Sequence, residues 1–144
     1  MRRFTVCDRH TVADIGLEIE GDSLEELFLA ATEGLYHLIS GGIRKVPISG
    51  EKKSIQFEAC DTDQLLIDWL SELIYQFDGC HKQIHIEHIK INPEKPCKLE
   101  ARIIRNDLEP DVLQTGHDIK AVTYYKLKII NENGVFSTPV VFDL

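Results

Sequence analysis

Ile15-Gly16-Leu17-Glu18-Ile19-Glu20-Gly21-Asp22-Ser23-Leu24-Glu25-Glu26-Leu27-Phe28 changes its hydrophobic period partway along, and that change decides the fold class. From Ile15 to Ile19 apolar residues alternate with Gly16 and Glu18, the period of a half-buried strand. Asp14 then sits at the strand's entrance, on its polar side. Ser23 and Glu26 form a capping box, because a serine oxygen at the N-cap can accept from the backbone N–H three residues on. Leu24, Leu27, Phe28, Ala31, Leu35, Leu38 and Ile39 follow at helical spacing until Gly41-Gly42 ends the run.

Downstream the same two signals recur. Residues 54–59 alternate as a strand, Asp61 caps a second helix with Gln64 three residues on, and Leu66, Trp69, Leu70, Leu73, Ile74 and Phe77 form its apolar side up to Gly79. Residues 83–91, 98–105, 119–130 and 135–142 read as strands, and Asn133-Gly134 joins the last two as a hairpin, since both residues tolerate positive φ. Leu108-Glu109-Pro110-Asp111 marks a turn that can open one short helix, and Pro139 implies an edge or bulge in the last strand, because proline donates no ladder hydrogen bond. Runs of strands flanking two helices predict an α+β class: a single-domain layered fold over residues 1–144, two main amphipathic helices packed on a mostly antiparallel sheet.

At 144 residues the chain can bury about 70% of its unfolded surface and needs no staples. Its net charge of −8 and pI near 5.2 argue against a broad phosphate-binding surface, so RNA is expected to meet it only indirectly; protein partners, cations or a local basic patch stay open. Cys7, Cys60, Cys80 and Cys97 show no paired spacing, which excludes a zinc ribbon or redox dithiol and reads as buried or half-buried thiols. The start Met1-Arg2-Arg3-Phe4-Thr5-Val6-Cys7-Asp8 meets charge before an apolar signal region can form, and no run approaches the roughly 20 apolar residues of a membrane span. No membrane contact and a cytoplasmic location are expected.

Val140-Val141-Phe142-Asp143 ends a predicted strand on a carboxylate, with only Leu144 beyond it. If Phe142 is in the core, Asp143 points out of it, and the Leu144 carbonyl or terminal carboxylate adds oxygen beside it. Hard divalent cations are held by such oxygens drawn from separate segments, and Asp14 is the matching acid at the other end of the sequence. Taken as isolated acids, the two fit solvated surface charges better than a metal site. His81, His85 and His88 crowd one segment, but a regular strand puts His85 and His88 on opposite faces, so no zinc site is expected there. No Gly-rich phosphate loop, nucleophile elbow or Cys-His pair with recognisable context is present.

Three segments taken together resemble the archease family: His10-Thr11-Val12-Ala13-Asp14, Ile119-Lys120-Ala121-Val122-Thr123-Tyr124 after Gly116-His117-Asp118, and Val141-Phe142-Asp143-Leu144. Ser23-Leu24-Glu25-Glu26-Leu27-Phe28 and Leu66-Ile67-Asp68-Trp69-Leu70-Ser71-Glu72 are similar to family segments as well. The resemblance implies a small α+β accessory protein, not itself an enzyme, that binds a divalent metal, calcium foremost and magnesium second. It implies action on an RtcB-type RNA ligase in tRNA splicing or RNA repair, promoting the ligase's guanylylation and multiple turnover. It places the metal ligands on Asp14, Asp143 and Leu144, and partner activation on Lys120, His117 and His10. Two departures stand out: Val12 interrupts the usual His-Thr-Ala-Asp run, which detaches His10 from the Asp14 register, and Tyr125 stands where the family commonly has histidine. Rival readings are a small metal-dependent hydrolase, with His10 or His117 as base, and a chaperone-like binding module. The oligomeric state is not readable.

Overall fold

The computed structural model describes residues 1–7, 14–41, 50–108 and 116–144. In chain order its elements are β1 (Arg2–Cys7), β2 (Asp14–Gly21), α1 (Leu24–Ser40), β3 (Glu51–Ala59), α2 (Thr62–Asp78), β4 (Lys82–Asn92), β5 (Cys97–Asp107), β6 (Ala121–Val122), β7 (Ile130–Glu132) and β8 (Val135–Asp143). Contacts gather into two compact units, Met1–Gly42 with Gly116–Leu144, and Ile43–Thr115. Each unit sets one helix against one sheet, and every strand pairing is antiparallel, so the α+β class is borne out.

In the first unit the strand order is β1-β2-β8-β6, with β7 also paired to β8. Ile15, Leu17 and Ile19 lie opposite Phe142, Val140 and Thr138, and all six are buried, which defines the inner face. The helix α1 begins where the capping box places it, with Ser23 Oγ accepting from the Glu26 N–H at 3.1 Å, and ends at Gly41, whose φ of 76° is left-handed. Its expected stripe is buried throughout, and so are Ala30, Tyr36, Thr32 and Ser40. Thr32 and Ser40 donate their hydroxyls to the Phe28 and Tyr36 carbonyls at 2.8 Å, which is how polar side chains are tolerated there. At Gly34 the helix comes close to the sheet: a Cβ there would sit 2.7 Å from Leu17 Cδ1. The strand β1 adds to the elements expected from sequence; Phe4 and Val6 alternate with Arg3, Thr5 and Cys7, a pattern that the charge of Arg2-Arg3 obscures.

In the second unit β5 is central between β3 and β4. Asp61 caps α2 by accepting from the Gln64 N–H at 2.8 Å, and Leu66, Trp69, Leu70, Leu73, Ile74 and Phe77 are buried as the pattern predicts. The sheet's inner face is built from Ile55, Phe57, Leu99, Ala101, Ile89 and Ile91.

Three expectations require correction. Residues 119–130 are not one strand: Ala121 lies opposite Asp143 and Ile130 opposite Ser137, so nine steps on one side face six on the other. The surplus forms a turn closed by the Leu127 N–H on the Tyr124 carbonyl at 3.1 Å. Pro139 gives the reason, since it lies between the β6 and β7 pairings and has no N–H for a continuous partner strand. Second, His85 and His88 share a face, because the register shifts between Ile86 and His88 and brings them opposite Ile104 and Arg102. Third, Cys60 is exposed, whereas Cys7 and Cys80 are half-buried and Cys97 is buried. The turn proposed at residues 108–111 lies, after Leu108, outside the described residues.

Candidate functional site

Alternation along two strands builds one end of the first sheet. Ile15 is buried, so Asp14 at the start of β2 turns to the outer face; Phe142 is fully buried, so Asp143 at the end of β8 does the same. The antiparallel register places Asp14 directly opposite Asp143. Such pairs have Cβ atoms about 4.5–5.5 Å apart, close enough for both carboxylates to meet one ion. Asp14 is half-buried and Asp143 exposed, and half-buried Leu144 follows.

On the other side of Asp143 stands Ala121. The Lys120 N–H donates to the Asp143 carbonyl at 2.9 Å, and the Thr123 N–H and Oγ1 both donate to the Val141 carbonyl at 2.9 Å. These bonds hold the Lys120 backbone at the acidic end while its side chain remains exposed. Of the residues singled out from sequence, Asp14, Asp143, Leu144 and Lys120 therefore come together.

His117 is anchored differently. Its N–H donates to the Leu38 carbonyl at 2.8 Å, in the last turn of α1, and its own carbonyl accepts from Ile119 at 3.1 Å. Gly116 makes this approach practicable: its φ is 78°, and a Cβ would lie 2.1 Å from the Ile39 carbonyl oxygen. His10 and the inserted Val12 lie outside the described residues.

The donors at the paired carboxylates are all oxygens, two side-chain groups and the backbone of Leu144, a set suited to a hard cation and not to zinc. Among the described residues no group of three or more His, Cys, Asp or Glu gathers. His85 and His88 therefore have no third ligand there, and Arg102 opposite His88 opposes a cation.

One feature beside the site escaped sequence reasoning. The turn after β6 exposes Tyr124 at 65% and Tyr125 at 57%, with Lys126 at a φ of 58° and its Nζ 5.3 Å from the Tyr125 ring centroid. Thr123 Oγ1 accepts from the Tyr125 N–H at 3.3 Å, which helps start the turn. Pro139 was the available signal. No helix among the described residues is long and apolar enough to cross a membrane.

Comparison with known proteins yields one family. The family model described as the archease protein family matches residues 5–144. A protein archease of Pyrococcus abyssi is 35% identical over 121 residues, covering 83% of each chain. One from Methanosarcina barkeri is 32% identical over 140 residues, 94% of this chain and 92% of the relative. The solution structure of Methanobacterium thermoautotrophicum protein 1598 superposes with a TM-score of 0.71 at 24% identity, covering 98% of both chains. The crystal structure of a Thermotoga maritima protein, described as an archease and possible chaperone, superposes with a TM-score of 0.62 at 24% identity and 96% coverage of both.

Proposed function

The chain belongs to the archease family, and from that premise we propose that it is an accessory protein, not an enzyme in its own right, that activates an RtcB-type RNA ligase in the cytoplasm. It acts by promoting guanylylation of the ligase, the GTP-dependent loading of GMP onto an active-site histidine, and so sustains multiple turnover in tRNA splicing or RNA repair. The observation that carries this reading is the direct opposition of Asp14 and Asp143 at one sheet end, with the Lys120 backbone bonded beside them.

Asp14, Asp143 and a Leu144 oxygen would hold a divalent cation, calcium foremost and magnesium second. Bound there, it supplies a positive centre for acidic or phosphate oxygens of the partner's site. Lys120 adds an exposed ammonium of the same sign, and His117 fixes the entry of its segment against α1. His10 joins this group by resemblance alone.

The test is ligation by an RtcB-type ligase of the same cell over many turnovers, with wild type and with Asp143→Asn. Stimulation by the wild type and its loss in a folded variant are expected. No stimulation by the wild type would overturn the reading for that pair and direct attention to cation-dependent hydrolysis by the isolated chain. A second reading, a chaperone-like module, draws on exposed Tyr124 and Tyr125; it would be favoured if alanine at both abolished partner binding while Asp143→Asn left it intact.

A further inference from the structure

The outer face of β3-β5-β4 runs against the charge of the whole chain. Its register brings Ser54 and His88 to either side of Arg102, Gln56 and Lys90 to either side of Glu100, and Glu58 and Asn92 to either side of Lys98. Lys52 and His85 flank Ile104 farther along the same face. Lys52, Lys90, Lys98 and Arg102 thus outnumber Glu58, Glu100 and Glu87, the last an exposed residue of the bulge, in a chain whose 24 acids outnumber its 16 Lys and Arg. All seven of these side chains are exposed, as are His85 and His88. The bulge between Ile86 and His88 adds both imidazoles, since a regular strand would turn one away.

Two depressions lie on this face, of about 580 and 260 Å³. Gln56, Lys90 and Glu100 line both, which joins them into one trough along β5. The large exposed hydrophobics of the described chain all lie elsewhere, at Met1, Val6, Tyr75, Tyr124, Tyr125, Ile130 and Val135. A protein partner would lack the aromatic or aliphatic anchors that dominate such interfaces. A phosphate backbone needs none, because it is held by spaced cations and hydrogen-bond donors.

We propose that this trough binds the phosphate backbone of single-stranded RNA. Arg102 is the central contact, with Ser54 and His88 beside it, and Lys90 and Lys98 continue the track. Among the described residues no Phe, Tyr or Trp shares this face, Phe57 being turned to the inner one, so the contact is independent of sequence and strongly dependent on salt. Glu100 sits in mid-track, accepting from Gln56 Nε2 at 3.3 Å, and lowers the local positive potential. The expectation drawn from net charge, that RNA meets this chain only through a partner, is the one this proposal replaces.

The test is fluorescence anisotropy of a labelled oligouridine with the full chain, chelator and no ligase, which separates it from the activator reading. Wild type should bind at low salt, and each cation removed, in Arg102→Gln or Lys90→Gln, should reduce the slope of log K against log salt by about 0.7. Glu100→Gln should tighten binding, a gain that misfolding cannot produce, and Lys128→Gln should change nothing. Absence of binding by the wild type, an equal loss in Lys128→Gln, or displacement of the RNA by polyglutamate at matched charge would each overturn the proposal.

Discussion

Asp143 shows how much a single residue inherits from its neighbours. Phe142 is buried, so strand alternation alone turns Asp143 outward, and the β2 register alone sets Asp14 against it. Like charges directly opposite on a sheet are destabilising, on the scale of cross-strand pair terms of about 0.2–1 kcal/mol. Without divalent metal, Asp143→Asn should therefore melt no lower than wild type, whereas added calcium should raise the melting temperature of wild type and leave the variant unchanged. Calorimetry with and without calcium reads both arms; an equal calcium shift in the two proteins would remove Asp143 from the metal site. Gly116 is constrained more tightly, because its left-handed φ and the nearby Ile39 carbonyl both exclude a side chain. Gly116→Ala should cost about 1–3 kcal/mol in urea unfolding, from backbone strain alone or from displacing the His117 segment from α1.

Helices were legible from sequence because each carries a cap and a long period. The caps at Ser23 and Asp61 lie where their acceptors predict, and Ser23→Ala or Asp61→Ala should each lower stability by about 1 kcal/mol, measured as a shift in denaturation midpoint at constant slope. Strands were legible where alternation ran unbroken, and were lost where pairing geometry took over. The break in residues 119–130 comes from a mismatch of length across Pro139, and the shared face of His85 and His88 from a bulge; neither belongs to the local pattern of the segment that shows it. The acids of the candidate site were singled out in sequence by the family resemblance, and strand alternation beside Ile15 and Phe142 gave only their outward direction. Their opposition could not be read from sequence, since register depends on two segments 129 residues apart in numbering, Asp14 and Asp143.

Over the whole chain, net charge proved a poor guide to local surface. Asp14, Glu18, Glu20 and Asp143 share the outer side of the first sheet, whereas Lys52, Lys90, Lys98 and Arg102 share that of the second. Each sheet separates its own outer face from a helix-covered inner one, and the two outer faces are proposed to hold different ligands, a cation at the acidic end of the first and an RNA strand along the second. Family membership tests neither proposal, and each is left to its own assay.

The most direct measurement is guanylylation of the RtcB-type ligase itself: the fraction of ligase carrying radiolabelled GMP after incubation with GTP, calcium and either wild type or Asp14→Asn. Wild type at substoichiometric amounts should raise that fraction several-fold, and folded Asp14→Asn should leave it at the level of ligase alone. An equal rise with both proteins would contradict the role assigned to the paired carboxylates.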